Sequence, residues 1–438
     1  MENEPDQLPL IESIAPSDQD AVAGAVQRAW RDGTPLFPIG GNTRIGRGLR
    51  PREPGVGLSF GGLKRIVDYP ARDLTITVEA GLTMAELAER LAGQNQRLPI
   101  DVADPVRATV GGAVAANASG PRQLRWGTMR DYVIGIRVVD GTGTVFSAGG
   151  RVVKNAAGYD LCRLLTGSHG TLGVIVQVTL MVKPMPETSA FVICQVADCD
   201  AAEDLLSRLV QTRTLPTAIE LLTAPVGWSS DPSFLANNTK QISSSFPSGN
   251  GSGRAGAPSF GLAVGVEGSQ AEVEWMTAQL QDEWREAGVS NAATVTGKQA
   301  DLLWNRLAGF AGAPSQDDRL VVRIDVLPSA VTGLVRRVRE LDSSASIQAH
   351  AGNGIVLARL SVAAGQCAAM VDERLRPEVQ AAGGHMVVLG EPDGAQLGRE
   401  SLFGPVPEGW AVMQSIQKQF DPKGILNRGR YRFTPPTP

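Results

Sequence analysis

The apolar positions of this chain change period several times, and each change marks an element. Over 18–32 the spacing predicts a helix, because Val22, Val26 and Trp30 share one face and Gly33 ends the run. A short strand is expected at Pro35–Ile39, followed by the glycine-rich turn Gly40–Gly46. Strands are expected at 64–69 and 73–79. In the second, Leu74, Ile76 and Val78 alternate with Thr75 and Thr77, the signature of a strand buried on one face. Thr83 with Glu86 three residues on predicts a capping box opening a helix over 84–93. The segment 109–182 is rich in glycine and β-branched residues and reads as strands joined by tight turns.

Beyond Pro184-Met185-Pro186 strand and helix patterns alternate. Strands are expected at 190–197, 216–222, 259–266, 292–296, 319–326, 344–350 and 354–360. Helices are expected at 200–211, 269–286, 299–309, 328–341 and 366–381. This order predicts an α+β domain with helices on one face of an antiparallel sheet. Residues 228–258 are dominated by Ser, Asn, Gly and Pro and read as a surface insertion. Residues 407–432 carry a helix pattern and then a turn-rich tail. No repeat of 20–50 residues is visible.

Composition narrows the chemistry. Length 438 with 42% hydrophobic and 20% charged residues describes a folded chain of several domains, and a net charge of −4 gives no case for nucleic acid. Glycine, at 50 residues, is about 11% against roughly 7% in average proteins. Three histidines and four cysteines, with only Cys194 and Cys199 close together, argue against a zinc or cysteine-ligated iron–sulfur site and against a disulfide framework. A bound organic cofactor is then the economical expectation. The start, MENEPDQLPL, has no signal-peptide pattern, and the charge-free run Leu164–Val182 is too polar to span a bilayer. A cytoplasmic location is expected, with any membrane attachment supplied by a partner.

Two glycine clusters stand out. In Pro38-Ile39-Gly40-Gly41-Asn42-Thr43-Arg44, directly after a strand, successive N–H groups can form an anion nest suited to a diphosphate. In 108–120 nearly every side chain is small, which suggests backbone packed on a flat ligand; a tightly turned Ala/Gly segment is the plain alternative. The formal G-x-G-x-x-G at 251–256 lies inside the Ser/Gly/Pro insertion and reads as spurious.

The clusters fall in a fixed order with further motifs. These are Asp104-Pro105 before Thr109-Val110-Gly111-Gly112, Gly127-Thr128-Met129-Arg130-Asp131, Asp140-Gly141, Lys154-Asn155-Ala156-Ala157-Gly158-Tyr159-Asp160, and Gly167-Ser168-His169-Gly170-Thr171-Leu172-Gly173-Val174. Together with the tail Phe420–Gly429, this order resembles the vanillyl-alcohol oxidase (PCMH-type) FAD-binding flavoproteins. His350-Ala351-Gly352-Asn353-Gly354, Gly383-Gly384-His385 and Phe403-Gly404-Pro405 make the chain most similar to the FAD-binding subunits of bacterial glycolate oxidases within that family.

The resemblance implies a PCMH-type FAD-binding domain of two α+β subdomains over 1–186. It implies a ferredoxin-like α+β cap over 187–400, and a helix and tail over 401–438 returning to the FAD domain. It implies FAD held non-covalently, since Asn42 stands where covalent relatives carry His. The implied cofactor residues are Ile39, Gly40, Gly41, Asn42, Thr43, Arg44, Pro105, Thr109, Gly111, Gly112, Asn117, Gly120, Arg130, Gly170, Thr171, Gly173, Val174 and Asn427.

It implies oxidation of a 2-hydroxy acid, glycolate to glyoxylate, beside a catalytic flavoprotein subunit and an iron–sulfur subunit. His350 is the candidate catalytic residue, with a structural role as the alternative. Arg323 and Arg359 are candidates for a carboxylate clamp. The pattern H-A-G-D-G-N-x-H of related dehydrogenases is broken here by Asn353, Ile355 and Leu357, so no metal site is expected. Alternatives are a non-catalytic FAD-carrying relay or scaffolding subunit and, less well supported, a stand-alone sugar or lactone oxidase.

Overall fold

A computed structural model describes residues 8–150, 159–223, 260–310, 312 and 319–431. The Lys154–Gly158 motif, the 228–258 insertion and the formal glycine fingerprint fall outside those residues. The chain divides into two compact units. One runs to Ser119, resumes over Gly127–Met185 and takes everything from Gly398; the other holds Gly120–Trp126 and Pro186–Leu397.

The first unit has a small parallel sheet, Leu10–Ile14, Gly55–Ser59 and Leu36–Ile39 in that spatial order. Its second sheet is antiparallel, ordered Ile66–Asp68, Thr75–Glu79, Val174–Met181, Val133–Val139, Val145–Gly149. The expected amphipathic helix is Gln19–Asp32, with Asp18 accepting from the Ala21 N–H and Gly33 closing it at φ +70°. The Thr83–Glu86 capping box is present and opens Met84–Ala92. One core, from Val22 to Leu426, fills the unit. The tail docks there: Leu36 N–H donates to Ile425 O at 2.8 Å and Asn427 N–H to Leu36 O at 2.9 Å.

One expectation is corrected. Residues 109–182 are not strands and turns alone, because Val110–Ala115, Gln123–Trp126, Met129–Tyr132 and Leu161–Leu165 are short helices. Thr109 caps the first through its hydroxyl, which accepts from Gly112 N–H at 3.2 Å. Small side chains suit this helix because Gly111 abuts Ala80, where an added Cβ would lie 2.6 Å from the Ala80 methyl.

The second unit is built on one eight-stranded antiparallel sheet. Its order resolves into two βαββαβ halves. Thr188–Val196, Ala218–Thr223, Phe260–Gly268 and Ala293–Thr296 form the first, with helices Cys199–Leu209 and Gln270–Glu286. Leu320–Asp325, Ser346–His350, Ile355–Leu360 and His385–Gly390 form the second, with the helix Val331–Leu341 and a helical run Cys367–Ala381. Each half has the ferredoxin-like strand order, so the expected cap motif occurs twice. The halves join through their second strands, where Glu220 pairs with His350, Leu221 with Ala349 and Leu222 with Gln348. The repeat escapes a search for short periods because each copy spans far more than 50 residues.

Candidate functional site

Two adjoining cavities of about 720 and 410 Å³ open in the first unit and share Pro38, Gly40, Thr109, Gly112, Ala115, His169 and Asn427 in their walls. Ile39, Gly41, Asn42, Thr43 and Arg44 line the larger, and Gly111, Gly170, Gly173 and Val174 the smaller. Thirteen of the eighteen residues singled out from sequence therefore meet in one groove. Pro105, Asn117, Arg130 and Thr171 are not in its walls. Asn117 Oδ1 instead accepts from Arg130 N–H at 3.0 Å, and Arg130 reaches Thr166 O at 3.3 Å, so these two brace neighbouring turns. Gly120 belongs to the other unit.

The glycines of the 38–46 turn have a packing task as well. A Cβ on Gly41 would sit 1.5 Å from Arg107 O, and one on Gly40 would sit 2.3 Å from Thr109 Oγ1. They let the turn lie against the 104–109 loop, and so place the groove wall. Gly112 is the opposite case: only Thr109 Oγ1, at 3.1 Å, stands near its missing Cβ.

Sequence reasoning missed the residues that set the electrostatics. These are Arg47, Arg430 and Tyr431, which join Arg44 and the motif residue His169 in the groove wall. Arg430 is 3% exposed, and no carboxylate among the described residues pairs with it. Its Nη2 donates to the carbonyls of Ile45 and Arg47, which holds the guanidinium on the glycine turn, and its Nε is buried without an acceptor. A buried cation without a counter-ion is costly unless a ligand supplies the anion.

His169 sits at φ +54° with its ring stacked on Tyr431, centroids 4.8 Å apart. Close packing, then the charges of Arg47, Arg44 and Arg430, push its pKa from 6.5 down to about 3. The imidazole is thus neutral at ordinary pH. Asn427, 4% exposed and at φ +48°, donates Nδ2 to His169 O at 2.8 Å. That bond fixes the amide orientation and leaves Oδ1 as a buried acceptor with no donor.

The His169 shift carries a prediction. In the unfolded chain the imidazole takes its proton near pH 6.5, whereas in the fold it does so only near pH 3. The unfolded state therefore binds more protons between these values, and stability present above pH 6.5 is lost as pH falls toward 3. Melting temperature of the flavin-free chain, followed from pH 7 to 4, is expected to fall less steeply in His169→Asn. Asparagine tolerates the left-handed backbone and does not titrate there.

The second unit holds the candidate catalytic residue. His350 is buried, and its Nδ1–H donates to both carboxylate oxygens of Glu220, at 2.8 and 2.9 Å. Gln348 Nε2 donates to the same carboxylate at 2.9 Å and to Leu307 O at 3.1 Å. A carboxylate on Nδ1 fixes the tautomer and leaves Nε2 as the basic nitrogen. Neither arginine considered as a clamp is held ready for a carboxylate. Arg323 is forked onto Asp325, with bonds of 2.7, 3.0 and 3.2 Å, and Arg359 donates to Phe310 O at 2.7 Å. Among the described residues no group of three His, Cys, Asp or Glu side chains is arranged to hold a metal. All four cysteines are buried thiols, and burial pushes Cys162 up to about 11 and Cys194 to about 12.

The FAD binding domain family model matches residues 13–149, and that of the FAD linked oxidases, C-terminal domain, matches 405–431. Over these residues the chain resembles the PCMH-type FAD-linked oxidases. It is 38% identical over 170 residues to the glycolate oxidase subunit GlcE of Escherichia coli, covering 39% of this chain and 48% of that one. It is 32% identical over 212 residues to the glycolate oxidase subunit GlcD of Bacillus subtilis, covering 48% of this chain and 45% of that protein. These matches span about half the length of each glycolate oxidase subunit. A D-lactate dehydrogenase of Archaeoglobus fulgidus is 28% identical over 426 residues, 95% of this chain and 90% of its own length. An alkyldihydroxyacetonephosphate synthase structure superposes with a TM-score of 0.68 at 18% identity, over 95% of this chain and 75% of that one, which shows the shared fold.

Residues 13–149 thus match an FAD binding domain, and most of the groove is built from them. The groove fits the cofactor on two counts, the buried Arg430 that needs an anion and the buried Asn427 Oδ1 that needs a donor. Arg430, with Arg44 and Arg47 beside it, would hold the diphosphate. Asn427 Oδ1 would accept from an N–H or O–H of the ligand. FAD, when bound, supplies the two-electron acceptor. Among the described residues no helix is long and apolar enough to cross a membrane.

Proposed function

We propose that the chain is the FAD-binding subunit of a glycolate-oxidase-type complex that oxidises a 2-hydroxy acid, glycolate to glyoxylate. It would hold FAD non-covalently and work beside a catalytic flavoprotein subunit and an iron–sulfur subunit. In this reaction the substrate loses a hydride from Cα and a proton from its hydroxyl. His350, with Nδ1 held by Glu220, has the form of a base for that proton. The observation that carries the reading is the likeness to glycolate oxidase subunits, which the arginine-lined groove supports. The likeness to D-lactate dehydrogenases along 95% of the chain supports a 2-hydroxy acid as substrate class.

A second reading, an FAD-carrying relay or scaffolding subunit, is favoured by two features. Leu357 is buried where the dehydrogenase pattern has its second histidine, and the candidate clamp arginines are engaged elsewhere, Arg323 by Asp325 and Arg359 by Phe310 O. The purified chain is expected to show a flavin absorption band. Bleaching of that band by glycolate or D-lactate under anaerobic conditions supports catalysis in this chain. A band that stays oxidised until the partner subunits are added supports the relay. A purified chain that takes up no flavin overturns both.

A further inference from the structure

The antiparallel sheet of the first unit carries a polar row outside the groove. Glu79 pairs with Gln177, and Gln177 with Arg137, so the three side chains stand side by side on one face. At one end the row is satisfied. Arg65 closes on the buried Glu79 carboxylate through Nε at 3.0 Å and Nη2 at 2.8 Å. Its centre is oriented, because Gln19 Nε2 donates to Gln177 Oε1 at 3.1 Å and so leaves Gln177 presenting its –NH2. At the other end Arg137 has no side-chain hydrogen bond or ion pair among the described residues, and its Nε is buried. Arg137 and Gln177, with Asp18, Asp20, Arg65 and Ile66, line a cavity of about 850 Å³.

Donors without acceptors, on neighbouring strands and facing one cavity, define an anion site. We propose that this cavity binds a small carboxylate, taken side-on by Arg137 through Nε and one terminal nitrogen, with the Gln177 amide as a further donor. The guanidinium edge matches a carboxylate in a bidentate fork. Asp18 and Asp20 on the same wall oppose a dianion, so a monoanion held by the Arg137 fork is the form proposed. The site is separate from the flavin groove in its lining residues and does not rest on the proposed reaction.

The test is a titration of the FAD-loaded protein with ¹³C-acetate, followed by line broadening, with inorganic phosphate as the second probe. Saturable acetate binding is expected, at least about tenfold weaker in Arg137→Gln and at least about tenfold weaker for phosphate. Gln177→Glu is a second variant that puts a carboxylate beside Arg137 while still accepting from Gln19. It should abolish this binding without lowering the melting temperature. No saturable acetate binding to the unmodified protein overturns the proposal. So does acetate binding that Arg137→Gln and Gln177→Glu leave unchanged, or phosphate that binds as tightly as acetate.

Discussion

Arg430→Gln is expected to weaken FAD binding by roughly 30- to 1000-fold, the equivalent of about 2–4 kcal/mol, and to leave the fold in place. The argument rests on where the charge sits. The guanidinium is almost wholly buried, is tied by Nη2 to the carbonyls of Ile45 and Arg47, and has no carboxylate partner among the described residues. An ion pair between this cation and a bound diphosphate is therefore little screened by water, and its removal acts mainly on the complex. Glutamine keeps one donor for the turn carbonyls and drops the charge. The flavin-free variant should melt within a few degrees of the parent, or above it, since an uncompensated buried cation has gone. Titration of the apoprotein with FAD, read by flavin fluorescence, decides the matter. Equal affinity in parent and variant would mean that the diphosphate is not held here.

Gly41→Ala should act on the fold and the flavin together. A methyl group at this position would fall 1.5 Å from Arg107 O, and no rotamer relieves a clash between backbone atoms. The 38–46 turn must move away from the 104–109 loop, at a cost of about 3 kcal/mol. For a unit of this size that corresponds to a drop in melting temperature of roughly 6–12 °C. The displaced turn carries Arg44 and the carbonyls that hold Arg430, so flavin content at purification should fall below about a tenth. Gly112→Ala is the control. Its methyl meets only the Thr109 hydroxyl and otherwise projects at the groove, so it should spare the melting temperature while reducing flavin content.

Local signals in the sequence were reliable where the physics is local. Gly33 ends the first helix and Thr83 caps the helix that its spacing to Glu86 implies, and the second unit's seven expected strands are present. The segment 109–182 was misread because its small residues follow from close packing, as of Gly111 on Ala80, and carry no hydrophobic period. The groove turn was found, but the reason for its glycines lies in a loop more than 60 residues away. The resemblance implied that the tail returns to the FAD domain, but no pattern in its residues shows that Arg430 and Tyr431 meet Ile45 and His169. Glu220 was legible only as part of a strand. Its meaning comes from a strand pairing that brings it to His350, 130 residues on.

That pairing has a consequence for how the two ferredoxin-like halves recognise each other. Their shared seam is three residue pairs long, and a junction so short tolerates slippage. A slip of one residue would face Glu220 with Ala349 and turn its carboxylate away from both His350 and Gln348. The buried acid would then lose three hydrogen bonds at once. The polar cluster thus works as a register key. It makes one alignment of the halves far better than its neighbours, and it penalises mispairing between halves of different molecules during folding, where an exchanged partner in the wrong register would bury a bare charge.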